Sequence, residues 1–210
     1  MLRFLTAEEL GQFPALRASM YADRAHQFRE RLGWKVQVDR KGWERDQYDD
    51  LNPVYVIWQR PDGLHGGSMR FLPTVGRTMV NEHFTDLSSG LMYRHPKLWE
   101  CTRFCLGEGM PGNVSAALML GGAQLGVGLG LTRAIGVFDA RMVRIYRVLG
   151  WQPVVLGTRG EGAEAISVGM WEFSEDIRLR MARKAGIAPD LSQHWFDAAA
   201  HGLPALPAAG

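Results

Sequence analysis

Residues 54–72 read VYVIWQRPDGLHGGSMRFL, and the alternation within this stretch decides the fold. Two runs of strand-forming residues, 54–59 (VYVIWQ) and 67–72 (GSMRFL), flank Pro61, Asp62 and Gly63. Proline presets φ for a turn, aspartate bonds its own backbone, and glycine accepts a positive φ. The spacing therefore predicts a β-hairpin, which needs further strands and a covering layer to be stable.

Working outward, residues 1–5 read as a strand. Thr6 and Glu9 form a capping box for a helix running towards residue 31. Residues 33–50 carry aromatic side chains and many charges without a clean period, so they read as a long ordered loop of the kind that usually serves function. Beyond the hairpin, residues 98–106 (LWECTRFCL) predict a strand and 114–129 a helix capped by Asn113, weakened by glycines at 121, 122, 126 and 128. Strands follow at 133–138, 153–156 and 165–173, with helices at 140–149 and, rich in arginine, at 174–185. This pattern predicts an α/β protein, a three-layer α/β/α sandwich around one mixed sheet. One domain is expected over 1–197, with a disordered tail at 198–210. The element order is similar to that of the N-acetyltransferase (GNAT-like) fold.

The 210 residues are 46% hydrophobic and 22% charged, ordinary for a globular chain with one core. A net charge of +2 is too mild to imply nucleic acid, though gathered basic residues would suit an acidic partner. There is no apolar run of about 18 residues, and acids enter at Glu8 and Glu9, so neither stable membrane insertion nor a signal peptide is expected, and the cytoplasm is the expected location. Cys101 and Cys105 would share one face of a regular strand, with no second ligand pair to complete a metal set. They read as buried, reduced thiols.

Three clusters carry chemical meaning. The first is Arg24, Phe28, Arg31 and Trp34; the second is Glu44-Arg45-Asp46-Gln47-Tyr48-Asp49 followed by Asn52-Pro53; the third joins Arg70 to Trp99-Glu100-Cys101-Thr102-Arg103-Phe104. The ordered set of Arg24, Phe28, Trp34, Asp46, Asp49, Arg70, Glu100 and Arg103 resembles the signature of the LuxI-type autoinducer synthases over about residues 20–150. The resemblance implies a GNAT-like fold and acyl-homoserine lactone synthesis. The amine of S-adenosylmethionine would be acylated from acyl carrier protein or acyl-CoA, and the lactone closed with loss of 5′-methylthioadenosine. It implies no cofactor, because S-adenosylmethionine is a substrate, and no metal.

The residue types suit that chemistry. Aromatic faces attract a sulfonium, so Phe28 and Trp34 could wall a cradle, with Gly33 turning the chain between them; they read equally as loop anchors. Arg31 or Arg103 could clamp the substrate carboxylate, with Thr102 beside them. Asp46 and Asp49 could hold the ammonium and pair with Arg24 and Arg70, or form a purely structural network. Glu100 is the candidate base, and its alternative role is a salt bridge. Strand alternation puts Glu100 and Arg103 on opposite faces, so a shared site requires a bulge. Such a bulge would open a slot towards strand 133–138.

Leu106, Met119, Gly136, Val137, Phe138 and Trp171 are the expected acyl-pocket side chains. Within the family, a threonine aligned with Gly136 goes with 3-oxo chains, so glycine there points to an unsubstituted one. Arg141, Arg144 and Arg147 form a stripe, and Arg178, Arg180, Arg183 and Lys184 a second basic run. Both are candidate docking sites for acidic acyl carrier protein, or ordinary solvated faces. Glu108 and Met110-Pro111 interrupt the glycines at 107, 109 and 112, which favours a carrier-protein donor over strong binding of CoA phosphates. The rival readings are a plain N-acyltransferase acting on another amine with acyl-CoA, and a non-catalytic acyl or S-adenosylmethionine sensor.

Overall fold

The computed structural model describes residues 1–206. Its elements are β1 (Leu2–Thr6), α1 (Ala7–Leu10), α2 (Pro14–Ala25), β2 (Val54–Gln59), β3 (His65–Pro73), α3 (Met79–His83), β4 (Leu98–Leu106), α4 (Asn113–Gly128), β5 (Arg133–Asp139), α5 (Ala140–Leu149), β6 (Val154–Arg159), β7 (Ile166–Glu172), α6 (Glu175–Ala185) and α7 (Pro189–Asp197). The seven strands form one sheet in the order β1-β2-β3-β4-β5-β7-β6. Neighbours are antiparallel except β4 and β5, which run parallel because α4 crosses over between them. Helices cover both faces, so the expected α/β sandwich with a mixed sheet is the fold.

The hairpin forms as its sequence dictates. Gly63 at φ 84° closes the turn, and its N–H reaches the Arg60 carbonyl at 3.0 Å. Tyr55 pairs with Arg70 and Val56 with Met69. Alternation sends Val54, Val56, Met69 and Phe71 into the core beneath α4, while Tyr55, Ile57 and Arg70 face α2.

The glycines of α4 have a packing reason. The helix is mostly apolar and almost wholly buried. A Cβ on Gly121 would lie 2.5 Å from Val56 Cγ1 and 2.9 Å from Leu2 Cδ2, so glycine lets the helix settle onto the sheet. Gly121→Val should therefore destabilise by about 2–3 kcal/mol through overpacking. Gly112→Ala, where no atom lies within 4 Å and φ is −60°, should stay within about 0.5 kcal/mol. Urea denaturation of both variants checks the pair.

Several expectations are corrected. The capping box exists, with Glu9 N–H to Thr6 Oγ1 at 3.2 Å, but it heads a helix of one turn. The chain breaks at residues 11–13 and restarts at Pro14, whose fixed φ suits a first helical position. Asn113 begins α4 rather than capping it; the cap is Gly112, without a side-chain bond. Helices α3 and α7 were not anticipated. Residues 198–206 continue past α7 through a short turn, and Leu203 packs against the core. Residues 207–210 lie outside the described residues. Among the described residues no helix is long and apolar enough to cross a membrane.

Candidate active site

The site begins with a fault in β4. Arg70 pairs with Thr102, but the next pair along is Ser68 with Cys105, so β4 carries one extra residue. Arg103 occupies that place at φ 55°, a left-handed conformation that costs a non-glycine residue about 1–3 kcal/mol. This is the bulge that a shared site requires. Glu100, Thr102 and Arg103 now lie on the α2 side of the sheet with Arg70. The bulge also separates the two cysteines, both free: Cys101 meets Met69 Sδ at 3.9 Å on the α4 side, while Cys105 pairs with Ser68. Burial pushes the Cys101 thiol up to about 12 and Cys105 higher still, so both stay protonated.

Three guanidiniums and three carboxylates close a ring on that face. Arg24 meets Glu44 at 2.6 Å and forks onto Asp49 with two bonds of 2.9 Å. Asp49 meets Arg70 at 2.9 Å, Arg70 meets Asp46 at 2.5 Å, and Arg103 bridges Asp46 at 2.7 Å and Glu44 at 2.9 Å. Tyr55 Oη donates to Asp49 at 2.6 Å, and Arg70 Nε donates to Thr102 Oγ1 at 3.0 Å. Each charge touches only opposite charges, and the ring is neutral. Burial opposes ionisation of Asp46 and Asp49, but their guanidinium partners outweigh it and hold both below the usual carboxylate range.

This geometry pairs Asp49 with Arg24 and Arg70, and Asp46 with Arg70 and Arg103. Asp49 is sealed among Arg24, Arg70 and Tyr55, and neither aspartate lines the cavity described below. Glu44, the missed member, sits in the second sequence cluster. Its signal was its place among alternating charges; its partners come from distant elements that only the loop's path brings together.

Glu100 makes none of the salt bridges weighed for it. Its carboxylate accepts the Val80 N–H at 2.6 Å and the Met79 N–H at 3.1 Å, capping α3. Burial pushes this carboxyl up to about 7, against the opposing pull of those two N–H groups. Met79, Cys101 and Thr102 line the cavity, and Glu100 sits immediately behind that wall.

Pairing between β4 and β5 stops at Glu100 and Ile135, so the strands part where a slot was expected. A cavity of about 690 Å³ threads the opening. On the α2 side it is lined by Phe28, Arg31, Trp34 and Arg103, and on the α4 side by aromatic and aliphatic side chains. Phe28 and Trp34 stack with centroids 5.1 Å apart, and the Arg103 guanidinium lies 5.4 Å from the Phe28 centroid. Gly33, at φ 67°, makes the turn that brings the two rings together. Arg31 makes no ion pair among the described residues, whereas Arg103 is committed to Glu44 and Asp46.

Leu106, Met119, Gly136, Val137, Phe138 and Trp171 all line the cavity. So do Phe71, Phe104, Tyr146, Trp151 and Phe173, which sequence reading missed because they come from five separate segments. Gly136 has a structural reason: a Cβ there would lie 2.8 Å from the Cys101 carbonyl oxygen.

Arg141, Arg144 and Arg147 are exposed on α5 and make no ion pair among the described residues; Arg141 also borders the cavity. Arg178 is corrected. It is buried, donating to Glu175, Gln124 and the Pro189 carbonyl, and so locks α6 to α4 and α7. Arg180 is exposed and pairs within its own helix with Asp176 at 3.3 Å.

Known proteins resemble this chain in sequence and in fold. The family model described as autoinducer synthase matches residues 14–180. An acyl-homoserine-lactone synthase of Rhizobium etli is 38% identical over 194 residues, covering 87% of this chain and 91% of that one. The structure of BjaI, a CoA-dependent acyl-homoserine lactone synthase with SAM and isopentyl-CoA, superposes with a TM-score of 0.80 at 18% identity, over 89% of this chain and 90% of the other. A putative N-acetyltransferase from Lactobacillus plantarum shares the fold more distantly, with a TM-score of 0.55 at 16% identity over 82% of this chain and 99% of its own. A match from α2 to α6, enclosing the charged ring, the bulge and the open slot, makes this chain a member of the autoinducer synthase family of acyl-homoserine-lactone synthases.

Proposed function

We propose that the chain transfers an acyl group from a thioester to the α-amine of S-adenosylmethionine and then closes the homoserine lactone. The observation that carries this reading is the single cavity through the β4–β5 opening, cationic and aromatic at one end and apolar at the other. It joins a place for a sulfonium amino acid to a chamber for an acyl chain. BjaI, whose structure holds SAM and isopentyl-CoA, supports the same pairing by likeness of fold.

Phe28 and Trp34 face the sulfonium, and Arg31, which makes no ion pair among the described residues, takes the carboxylate. Arg24, Arg70, Asp46 and Asp49 act as positioning residues: with Glu44 they fix Arg103 and Thr102 at the junction. An α-amine has a pKa of about 7.7–8.0 and must lose a proton to attack. Glu100 takes that proton through a water, since its carboxylate lies behind the cavity wall. The nitrogen adds to the thioester carbonyl and the thiol leaves. The methionyl carboxylate then attacks its own γ-carbon and expels 5′-methylthioadenosine. The sulfonium is its own leaving group and the attack is intramolecular, so orientation supplies much of the acceleration and no metal or redox cofactor is called for.

The donor is acyl carrier protein, drawn to the exposed Arg141, Arg144 and Arg147 beside the cavity. The test incubates the protein with S-adenosylmethionine and matched carrier-protein and CoA thioesters. Acyl-homoserine lactone and methylthioadenosine in equal amounts, faster from carrier protein, are expected. Thiol release without methylthioadenosine would point to a plain N-acyltransferase, and binding without turnover to a sensor.

A further inference from the structure

The apolar end of the cavity contains a hydroxyl that has no partner among the described residues. Tyr146 lies on α5, packed edge-on against Phe138 and Trp171, with centroids 5.5 and 5.0 Å away. The residue is 8% exposed and lines the cavity. Its hydroxyl makes no hydrogen bond among the described residues. Nor is it sealed: the unpartnered buried side-chain atoms are Arg17 Nε, His65 Nε2, Thr78 Oγ1 and Trp99 Nε1. The hydroxyl is thus neither partnered nor sealed, on a residue that lines the cavity, which leaves it available to a group bound there. The neighbouring indole of Trp171 is already satisfied, donating to the Trp151 carbonyl at 3.3 Å.

Position gives the hydroxyl a task. A Cβ at Gly136 would sit 3.4 Å from Trp171 Cζ3, and the same indole packs on Tyr146. Tyr146 therefore reaches the layer of the cavity that Gly136 borders from the sheet, near where the strands part. Gly136 has no room for a side chain, because the Cys101 carbonyl is too close. Any hydrogen-bond donor for an acyl oxygen in that layer has to come from the helix side. Burial keeps the phenol protonated far above neutral pH, so it can always donate. An unsubstituted chain would cover this hydroxyl with hydrocarbon and leave it unpaired, which is unfavourable.

We propose that Tyr146 selects acyl donors carrying an oxygen on the β-carbon, a 3-oxo or 3-hydroxy chain, by donating its hydroxyl hydrogen to that oxygen. This rests on the synthase reading and reverses the expectation from Gly136 alone. The ring builds the wall of the cavity, and the hydroxyl alone carries the selection.

The test compares unsubstituted, 3-oxo and 3-hydroxy thioesters of one chain length, with wild type and Tyr146→Phe, measuring kcat/KM for lactone formation. Wild type should prefer one or both oxygenated donors by about tenfold or more. Tyr146→Phe should lose that preference, its ratio of kcat/KM for oxygenated over unsubstituted donor falling towards one. The two oxygenated donors show which oxygen the site takes. Equal use of all three donors by wild type, or an unchanged ratio in Tyr146→Phe, overturns the selection while leaving the synthase reading intact. Absence of lactone and methylthioadenosine with every donor overturns the synthase reading, and the selection with it. Even if the variant folds poorly, equal use of the three donors by wild type overturns the proposal.

Discussion

Replacing Arg24 with methionine should destabilise the fold by about 3–5 kcal/mol, the usual cost of removing one partner from a buried ion pair. Arg24 is almost fully buried and satisfies Glu44 and Asp49 together. Without it the ring carries a net negative charge inside the protein. For a chain of this length the loss should lower the melting temperature by about 10 °C. The double variant Arg24→Met with Glu44→Gln should recover part of the loss, because it restores neutrality; strict additivity of the two changes would refute the closed ring. The acid side has a definite sign. Asp46 and Asp49 titrate below their ordinary values, so their contribution is complete above about pH 4 and is lost as pH falls further. In Arg24→Met, Asp49 loses one of its guanidiniums, and acid unfolding should begin at a higher pH. Thermal melts between pH 3 and 7 measure both effects.

That ring also marks how far a sequence can be read. Local periodicity and turn chemistry were enough to locate the hairpin, β4 and α5, because each is set by its own residues. The bulge was legible too: two groups needed in one site stood an odd number of positions apart on one strand. Glu44 was not, since its partners come from α2 and β4, and residues 33–50 follow no period that would foretell their path. Helix α3 was hidden for a related reason. Its first N–H groups are capped by Glu100 from a strand about 20 residues onward, so its start has no local signal. Arg178 looked like one more cation in a basic run, yet Gln124 and Ser192, from α4 and α7, draw it inside. Composition names a charge but not its neighbours.

Glu100→Gln should lower kcat by about 10²–10⁴, the range for loss of a positioned base, and should also move the pH profile. The carboxyl titrates at about 7 because burial penalises its charge. Its basic form therefore grows as pH rises, and wild-type kcat/KM should climb through a limb near 7. Stability runs the other way. A carboxyl raised in the folded state contributes fully below about pH 4.3, and that contribution fades as pH rises through 7. The enzyme should thus be slightly less stable where it is most active. In Glu100→Gln no side chain takes the ammonium proton, so only substrate already deprotonated reacts. The limb should then move to about 7.7–8.0, the range of the substrate amine. The alternative is that Glu100 merely caps α3. Glutamine keeps one acceptor for Val80 or Met79 and sets an amide N–H against the other, so a cap role predicts lower stability and a smaller drop in kcat. It predicts no movement of the limb. Measuring kcat/KM from pH 6 to 9 beside melting curves separates the two, because proton transfer moves the limb and a lost cap moves only the melt.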